Sequence, residues 1–473
     1  MTVSSPALKR CATAAAVVLG LAGLSSCATP APPTATITST TTTVSLPHPV
    51  PTAPPSTTPP VGDMPAIAEA VNNAIAAPRL PGAVVQIGHG GEVVYRQAFG
   101  VRKLAGEPGL DGKPSAAEPM TLDTIFDIAS LTKIFATATA VMQLQERGLV
   151  QVDDPVQTYL PEFNPDDDPE RSAVTLRMLL THTSGLGGDL SHQGPWGLTA
   201  ADRADGLARA LATPLEPGRA GTFHYSDTGF ILLGELVERV SGEPLDEYAR
   251  THVFEPLRMT DTRFLPPAKA CGPRRILGNA VSFDPDATEV PECAGDSWDI
   301  NLLARIAPTS LDEEGPPELN PDYGHLIRGT VHDPTARRMG GAVGSAGVFS
   351  TVTDLGRYAQ ALLDRLAGRP SAFPLRRDTL ESMTTPQQPD PDNLRGFGWD
   401  IDTPHSGPRG RIFPVGSFGH TGFTGVTVWI DPGSDSYVIV LGNVIHQRGG
   451  PPIVRLSGEI ATLAGQALHL YGN

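Results

Sequence analysis

Ser130 and Lys133 stand three residues apart at the head of an apolar stretch, a spacing that puts both side chains on one face of a helix. A serine hydroxyl is a weak nucleophile and needs a base. A lysine in partly apolar surroundings can have its pKa lowered from ~10.4 far enough to serve, whereas arginine does not deprotonate. Only five of the 35 basic residues are lysine, namely Lys9, Lys103, Lys113, Lys133 and Lys269, so a lysine at this position is pointed. The plainer reading keeps Ser130 as a helix cap. Tyr225-Ser226-Asp227 offers a phenol able to relay a proton between nucleophile and leaving group, and a carboxylate able to hold the Lys133 ammonium. Equally, Asp227 is read as an N-cap and Tyr225 as a core residue. Near the C-terminus, His420-Thr421-Gly422 and the following Phe423 read as a strand end with N–H groups for an oxyanion hole, Gly422 letting a substrate come close to the backbone. A Gly-rich hairpin is the alternative there.

These side chains need a scaffold. Leu131, Ile134, Phe135, Ala138, Val141 and Met142 follow a 3.6-residue period, so a helix is expected from Ser130 to Arg147, ended by Gly148. Further helices are expected from Met64, capped by Asp63, to Ile75; at Leu176–Leu180; over Thr228–Val240; and from Ile453 to Leu468. Strands are read at Ala83–Ile87 and Glu92–Phe99, turned at His89-Gly90-Gly91, and at Val415–Thr421, Val426–Ile430 and Tyr437–Leu441. The stretch from about 120 to 400 reads as helical or irregular. The expected class is therefore α/β of the α+β kind: one antiparallel sheet built from both ends of the domain and flanked by helices, with an all-helical lobe and a cleft between.

Ser130-Leu131-Thr132-Lys133, Tyr225-Ser226-Asp227 and His420-Thr421-Gly422, in this order, resemble the S-x-x-K, Y-x-N and K/H-T-G motifs of the serine β-lactamase and penicillin-binding-protein superfamily. The similarity is to its class C-like branch of D,D-peptidases, esterases and related hydrolases, and covers about residues 64 to 468. Two stretches add to it: Leu176–Leu186 with Thr181-His182-Thr183-Ser184-Gly185, and Gly340–Thr351 with Gly344-Ser345-Ala346-Gly347. The resemblance implies Ser130 as nucleophile, Lys133 and Tyr225 sharing the acid–base work, the N–H groups of Ser130 and Phe423 as oxyanion hole, and Asp227, His420, Thr421 and Gly422 facing substrate. His420 would bind a substrate carboxylate or tune the site. The segment Arg305 to Asp333 resembles a D-alanyl-D-alanine carboxypeptidase-like subgroup, with His332 and Asp333 at the pocket border or in a loop pinned by a polar contact. Asp227 in place of Asn, and His420 in place of Lys, weaken attraction for an anionic β-lactam. They shift the expectation toward a D-Ala peptide or a small ester.

A net charge of -16 with no basic run excludes nucleic acid as a partner. Lys9-Arg10, the apolar run Ala12–Leu24 and Leu24-Ser25-Ser26-Cys27 read as a lipoprotein signal over residues 1–26, with Cys27 lipidated and tethering the chain to a membrane on its extracytoplasmic side. Residues 27–62 are a Pro/Thr-rich linker, and 63–473 form the hydrolase domain. Cys271 and Cys293 are an expected disulfide in an oxidising compartment. No metal site or cofactor is expected: neither cysteine has a close ligand partner, and the 12 histidines form no zinc pattern. A small-molecule or peptide substrate is the expected partner, and the oligomeric state is left open. An α/β-hydrolase is set aside for want of a G-x-S-x-G elbow. A non-catalytic envelope binding protein of the same fold is the rival from another class.

Overall fold

The computed structural model describes residues 63–473 apart from 78–79, 388–389, 391, 447–452 and 473. Cys27 and the expected signal and linker segments lie outside the described residues. The first helix, α1 (Pro65–Ala76), starts after Met64 without any side-chain cap. Asp63 lies one residue too early to cap it; Pro65, whose φ is already set for a helix, occupies the first turn instead. Strands β1 (Gly82–His89) and β2 (Glu92–Lys103) form the expected hairpin. Gly90 and Gly91 both have positive φ (61° and 89°), the backbone that a tight two-residue turn between twisted strands requires.

Beyond β2 the sheet gains β3 (Glu118–Pro119) and, from the far side, β4 (Leu394–Arg395), β5 (Asp400–Asp402), β6 (Phe418–Gly422), β7 (Val426–Asp431) and β8 (Ser436–Gly442). The spatial order is β4-β5-β6-β7-β8-β1-β2-β3, antiparallel throughout. β1 and β8 are central partners, from Ala83 opposite Gly442 to His89 opposite Ser436. Side-chain alternation along them fills two cores. Val85, Ile87, Trp429, Val438 and Val440 face α1 and the C-terminal helix α5 (Ile453–Ala467); Val84, Val428, Ile430, Ile439 and Leu441 face the helices of the second lobe. Strands buried on both faces read as continuous apolar runs, which is what the sequence shows.

Within the second lobe, a 3-10 turn at Ala129–Leu131, a wide π-type turn at Lys133–Ala138 and helix α2 (Thr139–Glu146) run on continuously. Gly148 (φ 70°) ends the run as expected. Helix α3 (Asp227–Ser241) is capped by Ser226, whose Oγ accepts the N–H of Gly229 at 3.2 Å. Asp227 is therefore the first helical residue and its carboxylate is spared from capping. Helix α4 (Val352–Leu366) packs on β1 and β8.

Two further expectations are corrected. The 120–400 stretch contributes strands: β4 and β5 extend the main sheet, residues 126–127, 263–264 and 348–350 make a small sheet, and 274–277 pairs with 280–283. Elements of two to four residues are too short to show a period. The strand expected from Val415 begins only at Phe418, because a turn closed by Ser417 N–H to Pro414 O occupies the preceding residues. Cys271 and Cys293 are joined, with Cα atoms 5.1 Å apart. Replacing both by serine is expected to lower unfolding free energy by about 3 kcal/mol, the loop-closure entropy for their separation; chemical denaturation of the double variant measures it.

Candidate active site

Ile128 leads into Ala129, which adopts a left-handed backbone (φ 46°) unusual for a residue with a Cβ and costing about 1–2 kcal/mol. The buried carboxylate of Asp127 holds that turn, accepting Ala129 N–H at 2.9 Å through one oxygen and His332 N–H at 2.7 Å through the other. Ser130 is thereby set at the head of the buried run, with Lys133 Nζ 2.9 Å from its Oγ.

Lys133 is fully buried. Its ammonium donates to the Ser345 carbonyl at 2.9 Å and pairs with Asp227. The Gly340–Gly347 stretch delivers that carbonyl by backbone contact. A Cβ on Gly344 would lie 2.0 Å from Phe230 O, so only glycine lets the segment seat against α3. Tyr225 hydrogen-bonds both Lys133 and Ser130 through its hydroxyl. His182 positions it: the imidazole stacks on the Tyr225 ring at 4.3 Å, and Nδ1 accepts the N–H of Ser226 at 3.0 Å. Sequence reasoning quoted the His182 stretch without giving it this task; its one local signature, a positive φ of 57°, is invisible in residue type.

The electrostatics overturn the lowered lysine pKa. Burial pushes the Lys133 ammonium toward neutrality, but Asp227 and Tyr225 together outweigh it and the pKa rises above that of a free lysine. Burial likewise raises the Tyr225 phenol, with Asp227 adding to it against the pull of Lys133. The resting site therefore holds a charged Lys133 and a neutral Tyr225.

On the opposite wall, β6 approaches the nucleophile. Gly422 serves this approach rather than a substrate's: a Cβ there would sit 2.6 Å from Ile128 O and 3.3 Å from the Ala129 Cβ. Thr424 Oγ1 donates to Asp127 O at 2.7 Å, so the main chain of Phe423 is held beside Ser130. The Phe423 ring is 73% exposed and stacks on His332 at 5.7 Å. His420, Thr421 and Gly422 are the last three residues of β6, the strand end expected. Burial, then Arg395 and Lys133, hold its pKa well below the ordinary imidazole value. It is neutral, and its Nδ1 donates to Thr421 O at 2.7 Å, since a carbonyl only accepts. That leaves Nε2 as an acceptor, which cannot bind a carboxylate.

A cavity of about 530 Å³ opens on these groups, lined by Ser130, Tyr225, Asp227, His420, Thr421 and Phe423 among others. His332 and Asp333 border it, as one sequence alternative had it, and Asp189, Arg395, Asp400 and His405 join them without having been singled out beforehand. Among the described residues no cluster of ligating side chains could hold a metal ion.

A family model described as Beta-lactamase matches residues 67–451. The chain belongs to the beta-lactamase family. Relatives in this family include a protein of Escherichia coli K12 provisionally named D-alanyl-D-alanine carboxypeptidase, 30% identical over 375 residues, which span 76% of this chain and 78% of that one. An N-acetylmuramyl-L-alanine amidase of Bacillus subtilis 168 is 28% identical over 376 residues, 77% of this chain and 78% of the amidase. The fold is shared with a class C β-lactamase from Rhodobacter sphaeroides (TM-score 0.57, 21% identity, 84% of this chain and 98% of that one). It is shared too with a penicillin-binding-protein homologue from Caulobacter crescentus (TM-score 0.59, 21% identity, 85% and 97%). This family member is a serine hydrolase.

Its carboxyls give a pH dependence of stability. Burial raises Asp127 to about 6, and burial followed by the charge of Asp227 raises Asp333 to about 7 and Asp189 to about 6. Asp189 sits at the exposed mouth, so Asp127 and Asp333 carry most of the effect. Unfolded, each titrates near 3.8. The native state thus binds more protons between the two values, and stability rises as pH falls through that window. Melting temperature is expected to be higher at about pH 6 than at about pH 8, with a smaller difference in Asp333→Asn.

Proposed function

We propose that the enzyme forms an acyl-enzyme on Ser130 with a D-alanyl peptide, as a D,D-carboxypeptidase does, or with a small ester. The observation that carries this reading is the contact of Ser130 Oγ with Lys133 Nζ at 2.9 Å, with the Tyr225 hydroxyl bonded to both. As Oγ attacks the carbonyl carbon, its proton passes to Tyr225, while Tyr225 gives its own proton to the departing amine or alkoxide. Two protons move, one onto the phenol and one off it, so the phenol ends neutral. Lys133 remains an ammonium throughout and stabilises the charge that develops on the relay. The N–H groups of Ser130 and Phe423 receive the carbonyl oxygen as it becomes negative. In deacylation a water takes the place of the leaving group and the relay runs in reverse.

The relatives named for D-alanyl and muramyl-alanine bonds support a cell-wall peptide as substrate. Efficient β-lactam hydrolysis is disfavoured, because Asp227 and an acceptor His420 offer no anchor for the drug's carboxylate. Attachment at the outer face of a membrane through Cys27 belongs to the same proposal, supported by the Leu24-Ser25-Ser26-Cys27 signature and by the disulfide, which persists in oxidising compartments. The test is side-by-side turnover of a D-Ala-D-Ala peptide, p-nitrophenyl esters and nitrocefin. Release of D-Ala or p-nitrophenol faster than nitrocefin opening supports the reading; nitrocefin as the best substrate refutes it.

A further inference from the structure

Asp127 is 1% exposed and holds three separate parts of the chain. One side-chain oxygen accepts Ala129 N–H at 2.9 Å, and the other accepts His332 N–H at 2.7 Å. Its main-chain carbonyl accepts Thr424 Oγ1 at 2.7 Å. The rings of His332 and Phe423 then stack, 5.7 Å between centroids. These contacts close a circuit that runs from Asp127 to His332, across the two rings to Phe423, along the chain to Thr424 and back to Asp127. The circuit is anchored from outside. Asp127 pairs with Phe349 in the small sheet, Ile128 N–H donates to Val348 O at 3.0 Å, and Val348 N–H donates to Thr132 Oγ1 at 3.2 Å.

A buried carboxylate is a costly way to hold a fold. Burial raises its pKa to about 6, against the two N–H bonds and the charge of Arg337. An apolar side chain would fill the same volume but could not accept from two peptides at once. What the carboxylate adds is direction. The peptide between Ala129 and Ser130 carries the Ser130 N–H, and its orientation follows from the left-handed turn at Ala129 (φ 46°), a backbone that persists only where its surroundings over-determine it. The peptide between Gly422 and Phe423 carries the other donor, and Thr424 pins the chain just beyond it. Asp127 itself does not line the cavity, so it acts only through the groups it holds.

From this we infer that Asp127 is the positioning residue of the oxyanion hole: its carboxylate aims the N–H of Ser130, its carbonyl fixes the N–H of Phe423, and one residue thereby sets the spacing of both donors. The inference rests on the acyl-enzyme reading, in which those two N–H groups receive the carbonyl oxygen.

Kinetics of variants in the full-length protein test it, with a p-nitrophenyl ester and a D-Ala-D-Ala peptide as substrates. Asp127→Asn keeps the size of the side chain but offers one acceptor oxygen in place of two, leaving an N–H to face an NH₂ group. It is expected to lower kcat about 10- to 100-fold, the scale of a displaced oxyanion-hole donor, with KM nearly unchanged. Affinity for phenylboronic acid, whose adduct on Ser130 places an oxygen in the hole, falls by the same factor, because the adduct resembles the transition state. Mere loosening of the fold lowers the melting temperature without that parallel. Thr424→Val removes the hydroxyl that holds the second donor and is expected to move both readouts in the same direction, while Thr424→Ser restores them. The Thr424 pair decides the question if Asp127→Asn does not fold. Native kcat and boronate affinity in Asp127→Asn, or equal behaviour of Thr424→Val and Thr424→Ser, overturns the inference while the acyl-enzyme reading stands. A native protein that turns over neither substrate and does not bind the boronate overturns both.

Discussion

Ser130→Ala is expected to abolish covalent labelling by a phosphonate and to lower kcat/KM for any ester or peptide substrate about 10⁴-fold or more, with little change in melting temperature. The effect is large because every proton movement in the site begins or ends at this oxygen. Residual rate over water then comes from the surrounding N–H donors and from binding alone. Stability is spared because Ser130 is only partly buried, and the alanine leaves Lys133 with both Asp227 and the Ser345 carbonyl. Undiminished turnover in a correctly folded Ser130→Ala protein sinks the acyl-enzyme reading, and with it the view that the chain differs from a binding protein of the same fold.

Lys133→Met should damage both activity and fold. Methionine matches the length of lysine but removes the one cation among Asp227, Asp189 and Asp333. Breaking a buried pair costs about 3–5 kcal/mol when its partner stays charged. Asp227 retains some solvent, with 22% of its side chain exposed, so a loss near about 3 kcal/mol is expected. The sign of the pH effect separates this from simple cavity damage. Without the ammonium, the Asp189 and Asp333 carboxyls lose a charge that lowers them and rise further in the folded state, so the lost stability returns as pH falls and they take up protons. Catalysis does not return with it, because the charge on the relay is missing. Denaturant melts of the variant at about pH 8 and about pH 5 show the recovery; a stability deficit independent of pH contradicts it.

Much of the site is legible in the sequence because chemistry is written in residue type. Ser130, Lys133 and Tyr225 needed only their identities and the helical spacing, and the central strands announced themselves as apolar runs. Charge state was not legible. Whether Lys133 is base or cation depends on Asp227 lying against it, and that distance is set by Ser226 taking the cap and leaving Asp227 free. His420 illustrates the same limit: its letter allows a donor or an acceptor, and only the Thr421 carbonyl decides. Asp127, Asp189 and Asp400 were missed since isolated aspartates in loops and in strands of two or three residues look like solvated surface. Their meaning is topological, arising from segments as far apart as Asp127 and His332.

The pairing of β1 with β8 sets an order of events in the life of the chain. The first long strand of the domain is flanked by the last, and the buried bond from Gln86 Nε2 to Tyr437 Oη spans 351 residues. A growing polypeptide cannot close its central sheet until nearly all of it has been synthesised, and folds of such long-range connectivity assemble slowly. The walls that bring His420 and Phe423 to Ser130 belong to that late-arriving part. A truncated or half-synthesised chain thus carries its nucleophile without a working centre, and hydrolytic power arises only as the final strands dock.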